Sequence, residues 1–167
     1  RHLESINKNH NFCLVSICDT DREKLSHLSD QHNIKGYIDY KEMLKNEDIN
    51  FVVISTPNSD HFLQAMYCLK KQCDVLIEKP AVLNPSEISV LEKTALKSGT
   101  RVYTVLQVRL NPTVQKVKKL LESKIMGEVR GISLTQRWQR PHDYFSDWRG
   151  IPNVGGGTLH ECGIHYL

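Results

Sequence analysis

Asp74-Val75-Leu76-Ile77-Glu78-Lys79-Pro80 is the stretch that decides how this chain folds. Residues 74–77 form a short apolar run with a helix-like stretch on either side, the signature of a buried strand. A strand ending in Glu-Lys-Pro puts a carboxylate and an ammonium at the carboxyl edge of a sheet, where open α/β sheets bind ligands. Proline has no N–H and fixes its own φ, so the turn holds Lys79 in one direction. A lysine held there can move protons during a reaction.

The same alternation extends both ways. Cys13-Leu14-Val15-Ser16-Ile17-Cys18 is strand-like, and Thr20 with Glu23 forms a capping-box pair that predicts a helix to about His32. Gly36-Tyr37-Ile38 reads as a short strand, and Asp39 caps a short helix. Phe51-Val52-Val53-Ile54-Ser55 is continuously apolar, as in a strand buried on both faces. Asn58 or Ser59 caps a helix whose Phe62, Ala65, Met66 and Leu69 share a face. Asn84-Pro85-Ser86-Glu87 starts another, with Ile88, Leu91 and Ala95 inward and Gly99 at its end. Residues 101–106 form a last strand. Strands alternating with helices predict a Rossmann-type, doubly wound parallel sheet.

From residue 107 the organisation changes. Asn111-Pro112 starts a helix with Val114, Val117 and Leu121 on one face, ended by Gly127. Residues 131–139 alternate like a half-buried strand, and 140–157 are irregular, aromatic and Gly-rich. The reading is two domains: an incomplete nucleotide-binding domain over 1–106 and the beginning of an α+β domain over 107–167. The chain opens inside a helix-like stretch and closes inside an amphipathic one, which suggests a piece of a longer protein.

Composition is permissive. The 167 residues are 40% apolar, enough to bury a core, and 22 basic against 19 acidic residues leave a net charge of +3. That balance gives no reason to expect nucleic acid or an anionic membrane. No apolar run approaches the ~20 residues of a membrane span. Cys13, Cys18, Cys68, Cys73 and Cys162 are odd in number and lack metal-ligand spacing. They read as reduced thiols of a cytoplasmic protein without a metal.

Several residues could carry chemistry. Asp19 ends the first strand; it can hold an adenosine ribose and repel a 2′-phosphate, or merely cap the next helix. Thr56-Pro57-Asn58 lies between a strand end and a helix start, a place for phosphate or ribose groups and also ordinary turn chemistry. His61 reads as a surface or capping histidine. Gly155-Gly156-Gly157 permits close approach to a ligand or a flexible loop. Glu161 and His165 are four apart and would share a helix face, as an acid/base unit, half a metal site or a plain pair.

In this order, a strand ending in Asp19, Thr56-Pro57-Asn58, Glu78-Lys79-Pro80, then a Gly-rich run leading to Glu161 and His165 resembles the Gfo/Idh/MocA oxidoreductases. The resemblance covers nearly the whole chain and implies hydride transfer between a sugar or polyol carbon and nicotinamide. It implies Lys79 at the reacting hydroxyl, His165 as its acid/base partner, Glu78 near the nicotinamide ribose and Asp19 on the adenosine ribose. NAD is therefore favoured over NADP. Thr56, Pro57, Asn58, His61, Lys79, Gln107, Trp148 and Arg149 join the implied cofactor contacts; Lys79, Arg109, Glu161 and His165 make up the implied substrate contacts.

Two departures stand out. The family's first strand and glycine loop are absent from this sequence, and Glu161 stands where the family usually has Asp. The segments Gln107-Val108-Arg109-Leu110-Asn111-Pro112 and Asp147-Trp148-Arg149-Gly150 most resemble the nucleotide-sugar branch. That branch oxidises UDP-N-acetyl-hexosamine uronic acids at C3. Arg109 and Arg149 suit an anionic ligand or structural ion pairs. The resemblance also implies a homo-oligomer, paired through the second domain.

Overall fold

The computed structural model describes residues 1–166; Leu167, the last residue of the expected second domain, lies outside them. The elements are α1 (His2–Lys8), β1 (Ser16–Cys18), α2 (Arg22–His32), β2 (Lys35–Tyr37), α3 (Tyr40–Asn46), β3 (Phe51–Ile54), α4 (His61–Lys70) and β4 (Asp74–Ile77). Then follow α5 (Ser86–Ser98), β5 (Val102–Thr104), α6 (Pro112–Glu122), α7 (Pro152–Gly155) and α8 (Gly157–Glu161), with 3₁₀ turns at Asn58–Asp60, Gln107–Leu110, Trp148–Gly150 and Gly163–Tyr166.

All strand pairings are parallel, as the alternation requires. They form two ladders, β1-β2 and β3-β4-β5, and no ladder joins β1 to β3 among the described residues. One core nevertheless serves both, since Tyr37, Met43 and Leu44 cluster with Ile54, Val75 and Ile77. Helix α4 packs on β3 and β4, and α5 packs on α4 and β5, adding Ala65, Cys68, Leu69, Leu91 and Ala95 to this core. Each large aliphatic side chain so buried contributes roughly 1.5–3 kcal/mol.

Local signals explain the helix boundaries. Asp21, not Thr20, caps α2, because its carboxylate accepts from both Glu23 N and Lys24 N at 3.1 Å. Asp39 caps α3 through Lys41 N at 2.8 Å, and Asn111 caps α6 through Thr113 N at 2.9 Å. Gly99 ends α5 at φ 68°, a left-handed position that favours glycine.

Four expectations are corrected. β3 is not buried on both faces: Phe51, Val52 and Val53 are only partly covered, and the Phe51 ring packs on Phe12 and Tyr103. Ile88 is exposed, so α5 buries a narrower stripe. α6 ends at Glu122, and the chain turns at Lys124 and again at Gly127, both at positive φ. Residues 131–139 form no strand, since a single strand without a ladder partner leaves its backbone groups unpaired. Their alternating Ile132, Leu134 and Trp138 are exposed.

All five cysteines are free. Burial pushes the Cys68 thiol up to about 12, and burial with the nearby Asp39 and Asp19 pushes Cys18 up to about 11. Neither is a thiolate nucleophile near neutrality. Among the described residues no helix is long and apolar enough to cross a membrane.

Candidate active site

Parallel strands send their carboxyl ends to one edge of a ladder. The turns after β3 and β4 therefore bring Thr56-Pro57-Asn58 beside Glu78-Lys79-Pro80. Backbone pairing continues to the turn itself, where Glu78 N donates to Ile54 O at 2.9 Å. The Lys79–Pro80 peptide is cis.

Lys79 is the centre of the site. Its ammonium donates to Glu161 O at 2.7 Å and lies 2.9 Å from Glu161 Oε1. The two side chains are only 13% and 11% exposed, so the pair is largely shielded from water and less screened than a surface ion pair. Tyr144 donates its hydroxyl to the same Glu161 Oε1 at 3.3 Å. Burial first, then the negative Glu161, raises the Tyr144 phenol above its ordinary 10.0, which keeps it a donor.

Glu161 and His165 do not share a helix face. α8 stops at Glu161, Cys162 takes φ −115°, and His165 follows on a 3₁₀ turn. Glu161 thus holds Lys79 and not the imidazole. His165 lies near enough to Lys79, Glu161 and Glu78 for their charges to act on its ring. Burial, then the positive Lys79, hold its ring below the ordinary 6.5, while Glu161 and Glu78 pull the other way. Its Nδ1 is buried with no hydrogen-bond partner among the described residues.

Unfolded His165 takes up a proton below 6.5 more readily than the folded ring, so the unfolded state gains protons first. The stability tied to this group is full above 6.5 and is lost as the pH falls below it. Thermal unfolding followed from about pH 7.5 down to about pH 5 should show wild type losing more stability than His165→Gln. Parallel curves for the two proteins would contradict the assignment.

Glu78 holds its own turn, since Oε2 accepts from Lys79 N at 3.2 Å. Its Oε1 lies 2.7 Å from His2 Nε2 on α1, a contact the sequence did not suggest because His2 reads only as a helix residue. Asp19 sits apart from these contacts, after β1. Its carboxylate pairs with Lys24 and accepts from Asp21 N at 3.1 Å. Burial alone would raise this carboxyl, but the Lys24 ammonium and the Asp21 N–H outweigh it and hold it below its usual range.

Asn58 and His61 correct their sequence reading. Asn58 caps nothing; it is buried and its amide donates to Gly155 O at 2.8 Å. His61 is fully buried and is not a surface residue. Its Nδ1 lies 2.8 Å from Pro80 O and its Nε2 2.9 Å from Thr56 O. Thr56 donates its hydroxyl to Gln64 Oε1 at 2.8 Å. Gly155 must be glycine here, since a Cβ would lie 2.6 Å from Arg149 Cα.

The remaining candidates differ in how firmly they are held. Arg149 pairs with Asp147 and lies over the Trp148 and Tyr144 rings at 4.9 and 5.4 Å. Arg140 covers Tyr144 as well, at 4.8 Å. Gln107 and Arg109 are exposed on the 3₁₀ turn Gln107–Leu110, which packs against the turn carrying His165. Arg109 forms no ion pair among the described residues. No group of three or more His, Cys, Asp or Glu among the described residues could hold a metal.

Comparison with known proteins identifies the family to which this fold belongs. Residues 1–106 match the Gfo/Idh/MocA oxidoreductase family, NAD-binding Rossmann fold, and residues 114–167 match the family's C-terminal domain. The chain belongs to the Gfo/Idh/MocA family. Its structure is similar to the WlbA dehydrogenase of Bordetella pertussis, solved with NADH and UDP-GlcNAcA: 28% identity, TM-score 0.93, covering 99% of this chain and 50% of that one. It also resembles WlbA (WbpB) of Thermus thermophilus, solved with NAD and UDP-GlcNAcA, at 26% identity and TM-score 0.81, covering 99% and 55%. Among curated proteins, Oxidoreductase P35 of Formosa agariphila is 28% identical over 166 residues, covering 96% of this chain and 52% of that protein. The chain thus spans about half the length of these relatives.

Proposed function

We propose that this chain carries the cofactor and proton-transfer residues of an NAD-dependent dehydrogenase acting on a nucleotide-linked sugar. The observation that carries this reading is the shielded Lys79–Glu161 pair, with the unpartnered His165 Nδ1 in the same charge environment. Residues 1–106 serve the cofactor and residues 107–167 begin the substrate domain.

A bound nicotinamide cofactor would supply the acceptor for a hydride from the sugar ring carbon. The chain's own residues do the rest. Lys79, once its ammonium has released a proton to solvent, holds the reacting hydroxyl and accepts its proton as the neutral amine, with Glu161 fixing the side chain until substrate arrives. His165 offers Nδ1 to the same oxygen and shares the proton. Asp19 holds the adenosine ribose through the carboxylate that β1 presents, and Glu78 approaches the nicotinamide ribose. The turn at Thr56-Pro57-Asn58 lines the path between them. Gln107, Trp148 and Arg149 complete the cofactor side, and Arg109, exposed and without an ion pair among the described residues, faces the acidic part of the substrate.

The likeness to two dehydrogenases solved with UDP-GlcNAcA supports a UDP-linked uronic acid as substrate. A second reading, inositol oxidation, draws on the Thermotoga maritima myo-inositol 2-dehydrogenase, 22% identical over 167 residues. Purified protein supplied with NAD and either UDP-N-acetylglucosaminuronic acid or myo-inositol separates the two. Reduced nicotinamide is expected with the nucleotide sugar. Its appearance with inositol alone would reverse the assignment, and its absence with both, while NAD still binds, would favour a dinucleotide-binding protein without catalysis.

A further inference from the structure

We propose that His61 is the positioning residue of the site, tying the Lys79-Pro80 turn to the Thr56 turn so that the two move as one unit. Asn58 and His61 are the buried polar side chains recorded among the described residues. Polar groups are buried at a cost, which is met here by hydrogen bonds to backbone carbonyls. His61 starts α4, and its ring is 0% exposed between Pro80 O at 2.8 Å and Thr56 O at 2.9 Å. Pro80 is bonded directly to the lysine of the site.

Both partners are carbonyls, which only accept. A neutral imidazole donates from one nitrogen, so both contacts are completed together only by the doubly protonated ring. Either form places a donor between turns that belong to different strands, and no other side chain is seen to bridge them among the described residues. Asn58, three residues earlier, extends the tie to the glycine run through Gly155 O at 2.8 Å. The ends of β3 and β4 and the segment leading to Glu161 are therefore fastened around one short stretch, 58–61. Lys79 meets Glu161 across this fastening at 2.7–2.9 Å. The catalytic meaning of the tie rests on the dehydrogenase reading; the geometric role does not.

The test reads the Lys79 amine itself. Wild type, His61→Phe, His61→Gln and the core-cavity control Leu91→Ala are treated with an amine-reactive reagent well below their melting temperatures. Labelling of Lys79 is quantified by mass spectrometry against the exposed Lys118. His61→Phe removes the donor between the two carbonyls and should speed Lys79 labelling by about ten-fold, the change expected when a buried hydrogen bond is lost from the closed state. His61→Gln keeps one donor and should fall between, and it carries the test alone if His61→Phe does not fold. Leu91→Ala should lower the melting temperature yet label Lys79 at the wild-type rate. Unchanged labelling in the His61 variants, or an equal rise in Leu91→Ala, overturns the proposal. A protein without dehydrogenase activity whose Lys79 labelling still follows His61 would retire the functional reading and leave this inference standing.

Discussion

Lys79→Met should lower NAD-dependent oxidation of the nucleotide sugar by about 10²- to 10⁴-fold, the range for losing a positioned acid/base group. Methionine keeps most of the side chain's length and apolar stem but cannot accept a proton. Lys79 lies in the turn that follows β4, at the strand's carboxyl edge, and its side chain is fixed by two contacts to Glu161. NAD affinity should stay within a few-fold, because Asp19 and the Thr56 turn are untouched. Steady-state kinetics with a separate NAD titration check both halves. A variant that loses NAD binding and turnover together would show that Lys79 serves the cofactor and not the proton.

Glu161→Ala should destabilise the fold by roughly 3–5 kcal/mol, the cost of stranding one partner of a buried ion pair. At 13% exposure the Lys79 ammonium has little water to turn to, and Glu161 O alone cannot match the lost carboxylate. The Tyr144 hydroxyl loses its acceptor as well. Replacing both charges, as in Lys79→Met with Glu161→Met, should restore most of the stability, since a well-packed apolar pair of similar volume is often as stable as the ions. Activity should not return. Urea unfolding of the two single variants and the double variant measures the coupling. Additive losses would mean that the two side chains do not depend on each other.

The fold was legible where local chemistry acts alone. Asp39, Asn111 and Gly99 cap or end helices through groups adjacent in sequence, so their roles could be read directly. The strand-end position of Lys79 followed from the apolar run before it. Other features depend on distant partners. His61 reads as a surface residue because nothing nearby in sequence reveals Pro80 O, 19 residues away. Asn58 reads as a helix cap, yet its partner is Gly155, 97 residues on. The Glu161–His165 spacing suggested one helix face, but the helix ends between them and the carboxylate turns to Lys79. Residues 131–139 have the alternation of a strand, and only a ladder partner could have made them one. His2 carried no signal at all, since its contact with Glu78 exists only once α1 reaches β4's end.

The central claim is that hydride leaves a sugar ring carbon for nicotinamide while Lys79 takes the hydroxyl proton. The most direct measurement is a single turnover with NAD and UDP-N-acetylglucosaminuronic acid deuterated at C3, followed by mass analysis of the nicotinamide. Deuterium on the reduced nicotinamide, absent in Lys79→Met, is the result expected here. Unlabelled nicotinamide with the deuterium retained in the sugar or released to water would contradict it.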